Sequence, residues 1–365
     1  MPLTDYLVLP QTELERLDAL KKRHKQLFTD PQNARPLIFV NVKDDEIPNP
    51  ALEAQLSGDP ILSMLKTQLD AVAKLVKTQD DRLPHLRVNF GTAQVPHAFG
   101  CEVTEIDKQY GYACKTHILH DLKDVDHLQM PSLDAGFYGE IKKYTDIFKK
   151  YLPKGVEIQH PDIQSTFNSA YLIRGNDIFL DFYDDPERLC KLLDLVTDYM
   201  IKLVPYLKDM ISNDKEWFYD YNVLWPGAIR ISNCSIHMLP PEFYREYVKP
   251  RDQRFLKAFG GGRIHYCGSS GEVMKDFLTI DCSSGTDYDD KYHDLWDLCE
   301  MADRNKVIFC TTYGDPSYKP IQERLLKGEW PEKRNIVFNT YADSYEEGYE
   351  IYNRLLDSMP KHWNL

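Results

Sequence analysis

The sequence lacks the features that mark membrane, secreted and nucleic-acid-binding proteins. No apolar run approaches the roughly 18–20 residues that a membrane-spanning helix requires. The amino-terminal segment MPLTDYLVLPQTELERL has no basic region followed by an apolar region, so we expect no signal peptide. Acidic residues outnumber basic residues by 57 to 44, giving a net charge of −13 that disfavours nucleic acid and anionic membranes as partners. We expect a cytoplasmic protein.

Several familiar catalytic motifs are also missing. None of the eight cysteines forms a CxxC pair, which favours a reduced compartment over a disulfide framework. No GxSxG, HExxH or Walker pattern occurs, and the glycines of GGGRIH lead into an apolar run rather than out of one. The sequence therefore gives no support for the nucleophile elbow, the zinc-protease helix or the phosphate-binding loop that these motifs mark.

The sequence does contain the pattern of a large α/β domain. Hydrophobic residues make up 42% of the chain, which suits a sizeable core. Helical spacing occurs over residues 12–28, 51–77, 132–151, 185–212 and 240–259. Short β-rich runs lie at 35–42, 86–90, 156–161, 228–232, 263–267, 277–282, 306–313 and 335–341. Eight such runs separated by helices predict a (β/α)₈ TIM barrel, with a doubly wound open sheet as the alternative.

We predict an N-terminal helical extension over residues 1–34 and the barrel over residues 35–365. Residues 101–120 read as a hairpin inserted after the second strand. In a TIM barrel the active site lies at the carboxyl ends of the strands. That rule selects candidates near the ends of the predicted strands, namely His160, Gln164, Asn233, His237, His265, Cys267, Cys310, Tyr313, Thr340 and Tyr341.

The stretch RIHYC resembles half of a metal site. Side chains at i and i+2 point to the same face of a strand, so His265 and Cys267 can reach one ion. Zinc accepts nitrogen and sulfur ligands together, and a catalytic zinc needs three protein ligands and an open position. Cys310 is the first candidate for the third ligand, followed by Cys282, Cys234 and Asp281. The alternative is a buried histidine beside a packed cysteine.

The run ISNCSIHMLPPEFYREYVKPRDQRFLKAFGGGRIHYCG resembles the uroporphyrinogen decarboxylase superfamily. Residues 160–187 and 307–316 are similar to further segments of the same family. The resemblance implies a (β/α)₈ barrel. It also implies one of two activities: decarboxylation without a cofactor, or transfer of a methyl group from a corrinoid to a thiol with zinc on an HxC pair and a distant cysteine.

Two departures from the family pattern guide the choice between these activities. The Arg-rich segment that follows the first strand of the decarboxylases is replaced here by NVKDDEIPNP, which favours the methylcobalamin:thiol (coenzyme M type) methyltransferase branch. The last strand reads FNTYADS and lacks the cysteine of that branch. Either Cys310 takes its place as the third ligand, or a carboxylate completes the set, or the protein binds no catalytic zinc. No DxHxxG signature occurs, so the methylcorrinoid is expected on a separate protein, together with a small-molecule acceptor. A homodimer is compatible with these features.

Further residues receive roles under this interpretation. Asn233, His160, His237 and Tyr313 are predicted to be catalytic, and Gln164, Arg230, Arg263, Thr340 and Tyr341 are predicted to contact substrate. In the alternative, a decarboxylase, Arg230 or Arg263 would hold carboxylates and His160 or His237 would move protons. A third interpretation is a ligand- or partner-binding relative without activity.

Overall fold

Strands and helices alternate along the chain in a computed structural model, which describes residues 3–107, 111–212, 214–227, 229–311 and 317–363. The strands are Leu37–Val42 (β1), His85–Arg87 (β2), Val103–Asp107 (β3), Gly111–Cys114 (β4), Glu157–Gln159 (β5), Trp217–Asp220 (β6), Val223–Pro226 (β7), Arg230–Ser232 (β8), Arg263–Tyr266 (β9), Gly285–Asp289 (β10), Val307–Thr311 (β11) and Ile336–Ala342 (β12).

The longer helices surround these strands. They are Gln11–Thr29 (α1), Pro50–Leu56 (α2), Pro60–Thr78 (α3), Gln94–Ala98 (α4), Tyr138–Lys150 (α5), Thr166–Arg174 (α6), Ile178–Asp184 (α7), Pro186–Ile211 (α8), Pro241–Phe243 (α9), Lys249–Ala258 (α10), Gly271–Leu278 (α11), Leu295–Met301 (α12), Tyr318–Leu326 (α13) and Tyr345–Asp357 (α14). A π turn, Tyr244–Val248, joins α9 to α10. Within the described residues, no helix combines the length and the apolarity needed to cross a bilayer.

The parallel strands form a TIM barrel, as the sequence predicts. One ladder runs in the order β1, β12, β11, β10, β9, β8, and a second joins β2 to β5. A bridge between Gln164 and Ser232 connects the end of β5 to β8. The carboxylates of Asp80 and Asp81 accept hydrogen bonds from the backbone of β1 at 2.8 and 2.9 Å, tying β1 to the segment that leads into β2.

The predicted elements agree with the structure except in two places that matter. The predicted helix over 51–77 is two helices, because Asp59 caps the backbone of Ile61 and Leu62 and Pro60 begins a new helix. The strand predicted at 277–282 is wrong: Phe277 and Leu278 end α11, and the strand at this position is β10, GTDYD. The apolar residues before β10 have helical spacing. The two aspartates of β10 interrupt the apolar pattern that indicates a strand.

A hairpin that the sequence analysis did not predict fills the amino-terminal half of the barrel. Its strands β6 and β7 are joined by Tyr221 and Asn222, which have φ of 47° and 63° and thus make a two-residue turn of type I′. Phe218 and Trp225 of the hairpin belong to a buried cluster with Phe39 and other strand residues. The hairpin therefore forms a floor above which the barrel remains open. The inserted hairpin predicted at 101–120 is present as the antiparallel pair β3 and β4.

Candidate metal centre

A cavity of about 1090 Å³ opens at the carboxyl ends of the barrel strands. Its walls include Asn41 after the middle of β1, Ser232 of β8, Thr311 of β11 and Tyr341 of β12. A second cavity, of about 910 Å³, lies at the opposite end of the barrel among residues that precede the strands, such as Asn33 and Asn335. The cavity at the carboxyl ends is the one that contains the candidate chemistry.

Three donor residues meet on one wall of this cavity. The ligand atoms of Cys234, His265 and Cys267 all lie within 4.8 Å of one another. His265 is in β9 and Cys267 directly follows it, so alternation along the strand turns both inward while Ile264 and Tyr266 turn outward into the core. Cys234 comes from the short turn that follows the adjacent strand β8. In the described part of the chain, this is the one group of three such donors.

A carboxylate on the neighbouring strand orients His265. Asp287 lies opposite His265 in the register of β9 and β10, and its Oδ2 is 2.5 Å from His265 Nδ1. With Nδ1 donating to the carboxylate, Nε2 carries the lone pair that a metal requires. Burial raises the pKa of Asp287, but the charge of Arg263 and the hydrogen bond from His265 outweigh it and hold that pKa below its ordinary value. Asp287 is therefore a carboxylate that supports the histidine.

The two cysteines are coupled through their sulfurs. A hydrogen bond from the Cys267 thiol lowers the pKa of Cys234 against the opposing effect of burial, and His265 lowers it further. The same hydrogen bond and burial raise the pKa of Cys267. The pair thus accommodates one thiolate beside one thiol even without an ion. Two sulfurs and an imidazole backed by a carboxylate are a donor set that fits zinc.

At the floor of the cavity and beneath it, arginines and aspartates alternate in a balanced charge network. Arg230 bonds to Asp162, Arg87 contacts the same carboxylate at 3.2 Å, and Arg263 lies between Asp220 and Asp287. Arg263 Nη1 and Asp287 Oδ1 are 2.5 Å apart, an ionic contact without the alignment of a hydrogen bond. Three positive and three negative groups make the network close to neutral.

The ring of Tyr221 covers this network. Its centroid lies 5.0 Å from the guanidinium carbon of Arg230, 5.1 Å from that of Arg263 and 6.0 Å from that of Arg87. A positive φ is costly for a tyrosine, and such residues persist where the surrounding structure requires them. Tyr221 therefore stacks over the arginines and lines the cavity together with Arg87 and Arg230.

Some predicted substrate contacts do face the cavity. Gln164, Arg230 and Tyr341 line it together with His265 and Cys267. Gln164 is held by Asp162 at 3.3 Å and by Asn168 at 3.0 Å. Arg263 lies below the floor, fully buried, so it supports the site through Asp220 and Asp287 and does not line the cavity.

The structure does not bring Cys310 to the metal cluster. Cys310 lies between Phe309 and Thr311, which both line the cavity, so its side chain points the other way. There it is fully buried in the core, and burial raises its pKa well above the ordinary value. Cys282 also lies elsewhere, before β10, where its thiol donates to the carbonyl of Gln253 at 3.4 Å. Cys234 takes the third position.

Other candidates from the strand ends point away from the cavity. Thr340 alternates with the cavity-lining residues Asn339 and Tyr341, and its hydroxyl bonds to Gln322 of α13. Asn233 is fully buried and donates to Asp252 of α10 at 2.8 Å. Thr340, predicted to contact substrate, and Asn233, predicted to be catalytic, therefore make structural contacts outside the cavity.

The remaining predicted catalytic residues are dispersed. His160 lies in a separate small cavity beside Lys208 of α8, and burial lowers its pKa to about 3. His237 is exposed, with Nδ1 2.5 Å from the carbonyl oxygen of Cys234. Tyr313 lies outside the described residues.

The sequence analysis missed Asp287, Arg87 and Tyr221. The signal for Asp287 was the alternation in GTDYD, which places Asp287 and Asp289 on one face, but it could be used only with the sixth strand correctly placed. Arg87 follows the same alternation at the end of β2. Tyr221 carried no sequence signal, since a tyrosine at positive φ is not expected in a turn.

The chain is similar in sequence to two curated proteins. The chain is 25% identical over 189 residues to the methylcobamide:CoM methyltransferases MtbA of Methanosarcina mazei and Methanosarcina acetivorans. The match covers 51% of this chain and 52% of either relative, so the chain spans about half the length of the curated relatives it matches.

The fold is also seen in a solved structure, a methyltransferase from Methanosarcina mazei. The similarity has a TM-score of 0.63 at 15% identity and covers 93% of this chain and 97% of the other. At that identity it shows a shared fold. The model of the family "Uroporphyrinogen decarboxylase (URO-D)" matches residues 81–295, which is more than half of the chain and includes Cys234, His265, Cys267 and Asp287. The chain belongs to the uroporphyrinogen decarboxylase family.

Proposed function

We propose that the chain transfers a methyl group from a methylated corrinoid, carried by a separate protein, to a thiol or related acceptor. The observation that carries the proposal is the Cys234, His265 and Cys267 cluster on the wall of the barrel cavity. The similarity to proteins named methylcobamide:CoM methyltransferases supports the same activity. Zinc bound at the cluster would hold the acceptor sulfur and keep it deprotonated at neutral pH.

The reaction requires a thiolate and an approaching methyl group. The acceptor loses its thiol proton to solvent, and its sulfur attacks the methyl carbon of the donor. The carbon–sulfur bond forms as the cobalt–carbon bond breaks, and both electrons of that bond remain on the departing corrinoid. The cavity opens at the carboxyl ends of the strands, where a second protein could present the donor.

The residues of this chain prepare the site for that reaction. Asp287 holds Nδ1 of His265, which leaves Nε2 as the ring nitrogen for an ion at the cluster. Arg230 of the neighbouring strand β8 and Gln164 are fixed by Asp162, which gives the acceptor prepared polar contacts. Tyr221 covers Arg263, the one arginine of the network that does not line the cavity.

The decarboxylase alternative has less support. It assigned protons to His160 or His237 and carboxylate binding to Arg230 or Arg263. Of these four residues, only Arg230 lines the cavity, and its guanidinium is bonded to Asp162. No observation on the described residues favours this second function over the first.

Metal analysis and a methyl-transfer assay test the proposal together. The untagged protein should contain about one zinc per chain and should convert a thiol to its methyl thioether with free methylcobalamin as donor. Cys234→Ser should lose both properties, whereas Cys310→Ser should keep both. Zinc below about 0.3 per chain, with equal turnover in wild type and Cys234→Ser, would contradict the proposal.

A further inference from the structure

Asn233, the residue that precedes Cys234, is held by hydrogen bonds in a group with side chains of helix α10 and of the π turn before it. Asn233 Nδ2 donates to Asp252 Oδ2 at 2.8 Å, and Tyr244 Oη donates to the same oxygen at 3.3 Å. The backbone N–H of Asn233 donates to the carbonyl of His265 at 2.9 Å. All three side chains in this group are at most 1% exposed. Asn233 therefore links α10 to the backbone beside two of the proposed zinc ligands.

Two buried oxygens in this group have no partner. Asn233 Oδ1 and Asp252 Oδ1 are both inaccessible and accept no hydrogen bond from any described residue. A buried polar atom left unsatisfied costs about 1–3 kcal/mol. An ionised carboxylate and an amide oxygen are both acceptors, so neither can satisfy the other. One proton on Asp252 Oδ1 gives the carboxyl the donor that the amide oxygen needs.

The cationic side chains on the helix of Asp252 are paired with other carboxylates, as expected if Asp252 is uncharged. Lys249 on the same helix pairs with Asp276 at 2.8 Å, Arg251 pairs with Asp194 at 2.8 Å, and Arg254 pairs with Asp198 at 3.0 Å. Burial raises the pKa of Asp252 to about 7, opposed by the hydrogen bonds from Asn233 and Tyr244. The carboxyl thus sits in a dry pocket where ionisation gains little compensation.

We propose that Asp252 is a positioning residue. It carries a proton on Oδ1, pairs with both polar atoms of the Asn233 amide through two hydrogen bonds, and so fixes the turn that presents Cys234 to His265 and Cys267. The proposal rests on the proposed zinc site. It gives that site a neutral anchor, because a protonated Asp252 adds no negative charge beside Asn233, the residue that precedes Cys234.

The test compares two substitutions at position 252. Asp252→Asn keeps the shape of the acid and supplies both an acceptor oxygen and a donor N–H, so it should bind zinc within about 3-fold of wild type by chelator competition. Asp252→Ala removes the pair and should weaken zinc binding about 10–100-fold, as losses of supporting groups around metal ligands do. Cobalt-substituted Asp252→Asn should retain the thiolate-to-metal absorption of wild type, and cobalt-substituted Asp252→Ala should show it diminished.

Each opposite outcome overturns the proposal. If Asp252→Asn loses affinity as Asp252→Ala does, the charge of the carboxylate is what matters. If Asp252→Ala binds zinc as wild type does, the pair positions nothing. A second measurement does not depend on the folding of the alanine variant or on zinc: the infrared spectrum of metal-free wild type should contain the carbonyl band of a buried protonated acid that Asp252→Asn lacks. Absence of that band at pH 6 refutes the neutral pair even where zinc binding and methyl transfer succeed.

Discussion

Cys267 and Cys310 stand at the ends of two strands of one barrel, yet their surroundings are opposite. Cys267 follows the inward-facing His265 by two residues and lies on the cavity wall. Cys310 lies between two inward-facing residues and is therefore buried in the core outside the barrel. The difference teaches that two things decide whether a residue can contribute to the site. It must lie near the strand end, and its side chain must be on the face of the strand that points into the cavity.

The histidines repeat the contrast. His265 faces the cavity and has its Nδ1 held by Asp287. His160 follows β5 but points toward α8, where neither ring nitrogen has a partner among the described residues. Of these two histidines, the one that faces the cavity has a carboxylate partner and the one that points outward is packed as a neutral core group.

The largest expected effect separates the cysteines. Cys234→Ser removes a proposed thiolate ligand and should weaken zinc binding by more than about 100-fold, beyond what loss of a supporting residue causes. Cys310→Ser should leave zinc binding unchanged, while lowering the free energy of unfolding by about 1–3 kcal/mol because it buries a hydroxyl. Chelator competition and denaturant unfolding measure the two effects. Equal zinc affinity in both variants would contradict the assignment of Cys234 as a ligand and of Cys310 as a core residue.

The next effect concerns the support of His265. Asp287→Asn weakens the acceptor behind the imidazole and should reduce zinc affinity about 10–100-fold. Asp220→Asn is the matched control, because it also removes a carboxylate from Arg263 but does not touch His265. Both variants should lose stability, and only Asp287→Asn should lose zinc. If both lose zinc equally, the role of Asp287 is to maintain the charge network and not to orient the histidine.

The smallest effect sharpens the contrast between the histidines. Burial lowers the pKa of His160 to about 3, so between pH 6.5 and 3 the unfolded chain binds its proton more tightly than the folded chain. Stability therefore falls as pH decreases through this window, by up to about 1.4 kcal/mol per pH unit from this residue, and the residue has no such effect above it. His160→Leu should flatten the measured slope by that amount. Identical slopes in wild type and variant would contradict a buried neutral imidazole.

Sequence patterns predicted the barrel because seven of its strands are apolar runs between helices with clear periodicity. They failed at β10, where Asp287 and Asp289 interrupt the apolar pattern of the strand. A charge partner, Arg263, allows Asp287 to lie in the interior. They also failed to show the β6 and β7 hairpin, whose alternating aromatic residues pack inside the barrel. In both places the tertiary environment, rather than local propensity, decides the structure.

The sequence by itself determined the barrel and the pairing of His265 with Cys267, because alternation along one strand is a local property. It did not determine the third donor. Cys234 and Asp287 reach the site only because β8 and β10 lie on either side of β9, with a register that aligns Ser232 and Asp287 with His265. Strand adjacency and register are properties of the barrel, and they place Cys234, not Cys310, beside the pair.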